Sequence, residues 1–225
     1  MSPQRAALVE GWPVLLSVVV VAIPFGIVAR QSGLSQAEIV AMSVFVFAGA
    51  SQFAMVQLFK DGVAWPLIVA TVFLINLRHL LMAAALRPHF ARVPVARRLL
   101  AAYVLTDEAF AMAIGWFRRG RIELAYYATF AVALYVLWNV ATVIGMLLGP
   151  SIGEPRRFGV DFAITATFIA IVALGVRRRS DVTVALAAAL LASALAYVGA
   201  SAVAVVTAGA LAPLLVVFAR DEALA

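Results

Sequence analysis

The chain has 225 residues, of which 65% are hydrophobic and only 12% are charged, about half the charged share of an ordinary soluble domain. This composition excludes a soluble domain with a core of its own. The net charge of +6 is concentrated in short clusters between apolar runs, so it indicates membrane topology and not a nucleic-acid-binding surface. Because there is no cysteine, disulfide and thiolate chemistry are excluded as well.

Apolar runs long enough to cross a membrane recur along the chain. They cover residues 12–30, 37–59, 63–86, 99–117, 125–149, 160–176, 182–198 and 200–219. About 20 apolar residues in a helix cross the hydrocarbon core, and the runs lack the alternation that a membrane β-barrel needs. The last two runs barely separate. The sequence therefore predicts a single all-α transmembrane transport domain over residues 1–225, a polytopic membrane helix bundle of seven or eight hydrophobic segments.

The first segment contains Pro24-Phe25-Gly26. Proline lacks a backbone N–H and its ring collides with the preceding helical turn. We therefore expect Pro24 and Gly26 to kink or break this helix.

The second segment contains the sequence FAGASQF at 47–53. Gly49 permits close approach of another backbone, and Ser51 and Gln52 offer hydrogen bonds in apolar surroundings. Two interpretations are open. One is tight packing, with the polar side chains bonding across helices. The other is an unwound stretch whose backbone groups meet a zwitterionic substrate.

The third segment contains Asn76, Arg78 and His79. Arg78 lies roughly 12 Å of helix rise from the end of its apolar run, and a cation at such depth is costly in lipid unless it has a partner. Arginine holds a carboxylate in a bidentate fork, and histidine exchanges protons near neutral pH. The alternative is an internal ion pair that only locks two helices together.

The fourth segment carries two adjacent carboxylates, Asp107 and Glu108. We expect Arg78 to neutralise one of them and the other to be protonated, which suits proton coupling, since burial raises a carboxyl pKa. The alternative is that both residues cap a helix that starts after a break. Arginine clusters flank the segment on both sides, so either it spans against the positive-inside rule or it is re-entrant.

The fifth segment contains Trp138 and Asn139, which we expect to contact the substrate, and a GxxxG pattern at 145–149. This pattern is typical of close helix packing, within the chain or against another membrane protein. In the sixth segment, Asp161 is expected to be a helix-terminus cap.

The two halves of the chain resemble each other weakly. An offset of 115 places residues 47–53 over 162–168. This predicts two three-helix repeats, 12–86 and 125–198, linked by 99–117, with a binding site between them near mid-membrane. The alternative is chance similarity between alanine-rich helices.

Several motifs of enzymes and ATPases are missing from the sequence. It has no GxxxxGK[ST], no HExxH and no GxSxG, and its histidines are His79 and His89. We therefore expect no ATP hydrolysis, no metal site and no cofactor.

Together these motifs resemble the AzlC family, the large subunits of branched-chain amino acid exporters of the 4-azaleucine-resistance type. The resemblance covers about residues 13 to 175 and is carried by PFG at 24–26, FAGASQF at 47–53, NLRHL at 76–80, LTDE at 105–108, FA at 110–111, DFA at 161–163 and FIA at 168–170. Ala29 stands where the family often has glycine.

This resemblance implies proton-driven export of leucine, isoleucine and valine across the cytoplasmic (inner) membrane, together with a small AzlD-type membrane subunit. Joined to the residues above, it predicts that Arg78 binds the substrate carboxylate and that Asp107 or Glu108 meets the ammonium or carries a proton. Phe47, Phe53 and Trp138 are expected to line an apolar pocket, and Asn76, Ser51 and Gln52 to orient the substrate. A membrane-embedded enzyme and a passive channel for small solutes are the alternatives.

Overall fold

The computed structural model describes residues 1–121, 123–151 and 179–198, and single helical positions between 204 and 214. Over these residues the fold is helical throughout. Its elements are α1 (Pro3–Gln31), α2 (Gln36–Ala41), a π-helical turn (Met42–Val46), α3 (Gly49–Lys60), α4 (Trp65–Asn76), α5 (Arg78–Leu86), a 3₁₀ turn (Arg87–Phe90), α6 (Val95–Tyr103), α7 (Asp107–Phe117), α8 (Leu124–Leu148) and α9 (Arg179–Tyr197).

The two longest helices, α1 and α8, pack against each other along their length and form the centre of the described bundle. The contact is backbone to backbone. A Cβ added to Gly26 would overlap the carbonyl of Thr142, and one added to Gly145 would overlap the carbonyl of Ile23. The GxxxG pattern therefore packs within the chain, because its first glycine lets α1 approach α8 closely.

A break at Pro24 and Gly26, one of the two outcomes expected there, is wrong, because α1 continues through both residues to Gln31; the alternative, a kink, stays a prediction. Pro24 removes one helical hydrogen bond, but the residues beside it are fixed by α8. Phe25 is fully buried and stacks on Trp138 with 5.8 Å between ring centroids. Gly26 serves the helix contact and does not mark an unwound turn.

Within the described residues, the second, third and fourth apolar segments are interrupted. The second breaks at residues 47–48 and the fourth at 104–106, whereas the third has a one-residue interruption at Leu77, where the backbone stays right-handed helical. The Leu77 interruption therefore leaves Trp65–Phe90 a continuous apolar stretch. Helices α6 and α7 have only 9 and 11 residues. Since a span needs about 20 residues, neither half of the fourth segment crosses a membrane alone.

An all-α membrane bundle is confirmed. Among the described residues, three stretches are long and apolar enough to cross a membrane, Pro3–Gln31, Trp65–Phe90 and Leu124–Leu148. Large apolar side chains such as Phe45, Phe73 and Leu81 face outward, as lipid contact requires. Three sequence predictions lie outside the described residues: Asp161, the run 160–176, and residues 162–168 as the counterpart of residues 47–53. The count of seven or eight segments and the internal repeat therefore stay predictions.

The end of α7 is anchored to α1 and α8 by a polar and aromatic cluster. Trp116 stacks on Tyr126 with centroids 4.1 Å apart. Arg119 pairs with Glu10 at 3.0 Å, and the Tyr126 hydroxyl donates to the same carboxylate at 3.3 Å. This cluster fixes the far end of the helix whose first residue is Asp107.

Candidate functional site

The first helix break lies at Phe47 and Ala48. Phe47 has a left-handed backbone with φ of 41°, and Ala48 is extended. Left-handed backbone is costly for a large residue, so surrounding contacts must hold it. The Phe47 ring is buried and meets Tyr135 edge-on at 4.8 Å. A Cβ on Gly49 would lie 2.8 Å from the Trp138 ring. The second segment thus has an unwound turn directly before a tightly packed glycine.

The unwinding leaves the carbonyl of Val44 free to accept from side chains. The Tyr103 hydroxyl, at the end of α6, donates to it. The Tyr135 hydroxyl lies 3.4 Å from the same oxygen and 3.2 Å from the Tyr103 hydroxyl. Since Tyr103 directly precedes the break at 104–106, these bonds tie the first break to the third.

Buried polar side chains link α8 to the second segment on both sides of the first break, in the π-helical turn and in α3. Ser43 donates to Thr142 at 3.2 Å, and the Gln52 amide donates to Ser43 at 3.3 Å. Gln52 is fully buried, and its Oε1 has no hydrogen-bond partner within the part of the chain that the structure describes. Ser51 instead donates to the carbonyl of Ala48 at 2.9 Å, within its own turn. Gln52 therefore offers an open acceptor, whereas Ser51 stabilises the start of α3.

Arg78 and Asp107 form an ion pair that joins the second break to the third, with 2.7 Å between Nη1 and Oδ2. Arg78 begins α5 and Asp107 begins α7. Thr106 caps α7 by accepting from the backbone N–H of Ala109 at 3.2 Å, so Asp107 sits in a first turn, where a negative charge is favoured. The side chains are 31% and 49% exposed, so the pair is open to an entering solute.

Glu108 lies beside this pair in the same first turn of α7. It is partly buried. Its carboxylate forms no hydrogen bond or ion pair with the part of the chain that the structure describes. Both carboxylates thus stand at a helix start after a break, which is the alternative arrangement that the sequence allowed. Arg78 nevertheless neutralises one of them, Asp107.

Asn76 and His79 flank Arg78 on the two sides of the Leu77 break. The His79 Nδ1 lies 3.0 Å from the Asn76 carbonyl, as their spacing on one face predicts. The Oδ1 of Asn76 and the Nε of Arg78 are buried and have no hydrogen-bond partner among residues 1–121, 123–151 and 179–198. This break therefore carries one unused acceptor and one unused donor.

The first break has a similar pair of unused groups, Gln52 Oε1 and the indole Nε1 of Trp138. Buried polar atoms are nearly always hydrogen-bonded, so each exception needs an explanation. Leaving such a group unpaired costs about 1–3 kcal/mol. A polar solute that supplied a donor and an acceptor would recover that energy.

The Asn139 amide donates to the carbonyl of Tyr135 at 2.9 Å, within α8, and its expected contact with the substrate stays a prediction. Sequence reasoning missed Tyr103 and Tyr135, although a tyrosine hydroxyl within an apolar run is itself a signal, because it must find a partner. No group of three or more His, Asp or Glu side chains able to hold a metal ion occurs in the described ranges.

Comparison with known proteins identifies relatives along most of the chain. The family described as AzlC protein matches residues 13–152, a range that contains all three breaks. An uncharacterized membrane protein of Archaeoglobus fulgidus is 29% identical over 217 residues, covering 94% of this chain and 93% of the relative. The inner membrane protein YgaZ of Escherichia coli K12 is 30% identical over 201 residues, covering 84% and 82%. No solved structure matches the chain.

Proposed function

The chain belongs to the AzlC family of membrane proteins, and from this membership and the helix breaks we propose that it is a secondary transporter that exports branched-chain amino acids across the inner membrane. The observation that carries the proposal is the Arg78–Asp107 ion pair, 2.7 Å long. It stands near the middle of the apolar stretch Trp65–Phe90 and joins two interrupted helices. Broken helices with charged groups at their ends are a recurring form of transporter binding site.

The two charges of the pair suit the two charges of an amino acid. The substrate carboxylate would bind the Arg78 guanidinium as a bidentate partner, and the ammonium would bind Asp107. The zwitterion thereby separates the pair while leaving neither charge unpaired. Because both side chains are partly exposed, this exchange does not require a buried charge to be stripped of its partner first.

The remainder of the substrate would meet the unused groups described above. Asn76 Oδ1 and Gln52 Oε1 are acceptors for ammonium protons. The branched side chain would contact the aromatic cluster of Phe25, Phe47 and Trp138 around the first break. A hydrocarbon side chain is favoured there by about 25 cal/mol per Å² of apolar surface removed from water.

Glu108 is proposed as the proton carrier that couples export to the proton gradient. It is partly buried, and its carboxylate has no partner among the described residues. It adjoins Asp107, so its protonation would alter the charge next to the substrate ammonium.

A small AzlD-type membrane subunit is proposed as a partner. Many large apolar side chains on α4 to α6 are exposed, among them Phe73, Leu81 and Leu99. Lipid or a second membrane protein would cover such a surface. Purification of the tagged chain from cells that also express a small membrane protein of this type tests the partnership. Recovery of the chain alone, at full export activity, would contradict it.

The export proposal is tested with Arg78→Gln. Cells loaded with a leucine-containing dipeptide should accumulate intracellular leucine when they carry the variant, and clear it when they carry the wild-type chain. Arg119→Gln is the matched control, since it removes an arginine from an ion pair at the opposite end of α7 from Asp107, where the stacking of Trp116 on Tyr126 still anchors the helix. Normal leucine clearance by the Arg78 variant, at equal membrane abundance, would overturn the proposed role of Arg78.

A passive channel and an enzyme give different results in the same cells. Export that does not saturate and that ignores a proton uncoupler would favour a channel. For an enzyme, the His79 imidazole would need a nucleophile, but it contacts the Asn76 carbonyl. We therefore propose transport and not catalysis.

A further inference from the structure

A cavity of about 420 Å³ lies between α5, the 3₁₀ turn, α6 and α8. This volume is within the range of small-molecule sites. Most of the lining is hydrocarbon, and the surface is open on one side because Leu99 and Ala102 in the lining are exposed. The apolar lining residues are Ala83, Leu86, Phe90, Val95, Leu99, Ala101, Ala102 and Leu105.

Two arginines also line this cavity, Arg87 and Arg98. Neither guanidinium forms an ion pair or hydrogen bond with any residue of 1–121, 123–151 or 179–198. The remaining polar residue of the lining, Tyr127, already donates its hydroxyl to the carbonyl of Ala101 at 2.6 Å. The cavity therefore joins a hydrocarbon surface to two cations that have no described counter-ion.

The surrounding sequence is unusually one-sided in charge. Residues 62–106 contain five arginines and no acidic residue, and Arg78 alone among them is paired with an acid in the described fold. Two of the others, Arg97 and Arg98, stand in the first turn of α6, where the helix dipole disfavours cations. An anion bound in the cavity would reduce this repulsion at Arg98, which lines the cavity.

We propose that this cavity binds an anionic phospholipid, with the phosphate on Arg87 and Arg98 and an acyl chain against the apolar lining. The cationic Arg87 and Arg98 favour an anionic ligand. The hydrocarbon lining favours an anion that carries an acyl chain over a soluble anion. Basic pockets between membrane helices are known to hold acidic headgroups. Neither Arg78 nor Asp107 lines the cavity, and the inference does not rest on the transport role.

The test is lipid binding to the purified full chain, measured by native mass spectrometry after addition of phosphatidylglycerol or of phosphatidylcholine with the same acyl chains. We expect phosphatidylglycerol to bind more tightly. The double variant R87Q/R98Q should lose roughly fivefold in affinity for each arginine removed. The double variant R92Q/R97Q is the matched control, since it removes the same charge from the same basic cluster outside the lining.

A second variant tests the acyl chain. Ala102→Phe fills the cavity from α6 and should weaken phosphatidylglycerol binding while leaving both arginines in place. Glycerol 3-phosphate, which carries the phosphate without a chain, should bind weakly to every form. Equal binding of the two lipids, equal loss in both double variants, or tight binding of glycerol 3-phosphate would each overturn the proposal.

Discussion

The contact between α1 and α8 gives the sharpest prediction about stability, and it concerns a single methyl group. Gly145→Ala would place a Cβ on the Ile23 carbonyl and 2.9 Å from its carbon. Ordinary contact starts near 3.4 Å, and backbone atoms cannot rotate away as a side-chain end can. The two helices must therefore separate locally, and the fully buried Ala22 and Phe25 lose packing with them.

The magnitude follows from two opposing terms. Replacing a helical glycine by alanine stabilises a helix by about 1 kcal/mol. Overpacking a tight interface costs typically 1–3 kcal/mol, and here the clash is between two backbones, so we place it at the upper end or above. The net expectation is a loss of about 2 kcal/mol or more in the free energy of unfolding.

Gly115→Ala is the matched control, because nothing lies within 4 Å of its added Cβ on α7. It should leave stability unchanged or raise it, whereas the same substitution at Gly145 should lower it. Thermal unfolding of both variants in the same detergent, followed by circular dichroism, measures the difference. A Gly145 variant that melts at or above the wild-type temperature would refute the backbone contact.

Three further predictions concern the helix breaks. Arg78→Gln should abolish export but lower the melting temperature only modestly, because the Asp107 carboxylate that it leaves unpaired is 49% exposed and stands in a first helical turn, where a negative charge is favoured; a large drop in melting temperature would instead show that the pair is structural. Exchanging the two charges, with Arg78→Asp and Asp107→Arg in one chain, should keep membrane abundance at the wild-type level without supporting leucine export, whereas full export would show that the pair only locks two helices. Tyr103→Phe removes the hydroxyl that donates to the Val44 carbonyl, so it should lower the free energy of unfolding by about 1 kcal/mol and slow export. Tyr197→Phe is the control, since Tyr197 is 93% exposed, and it should change neither quantity. Identical behaviour of the two variants would contradict the link between the breaks.

The sequence predicted those features that follow from the energy of a single side chain in lipid. A deep arginine needs an acid, and Arg78 has Asp107. A glycine pattern in an apolar helix predicts a close contact, and Gly145 makes one. The fold class follows in the same way from composition and from the length of the apolar runs.

The positions of the breaks depend on contacts between distant residues, so the sequence predicted them poorly. Pro24 has the strongest local signal, yet α1 is continuous there. Leu77 and Phe47 have no local signal, yet the helices end beside them. At Phe47, the Tyr135 ring and the tyrosine hydroxyls on Val44 hold the turn. The third break did carry a signal, since Thr106 followed by two acids is a common helix start.

Residues 104–106 stand between two tethers, Tyr103 on the Val44 carbonyl and Asp107 on the Arg78 guanidinium. A torsional change at this short linker therefore displaces both attachment points together. A solute that separates the Arg78 guanidinium from the Asp107 carboxylate would displace Tyr103 and, through its hydrogen bond to Val44, the π-helical turn Met42–Val46. We therefore expect a displacement of Asp107 to be transmitted through residues 104–106 and Tyr103 to the turn at Val44.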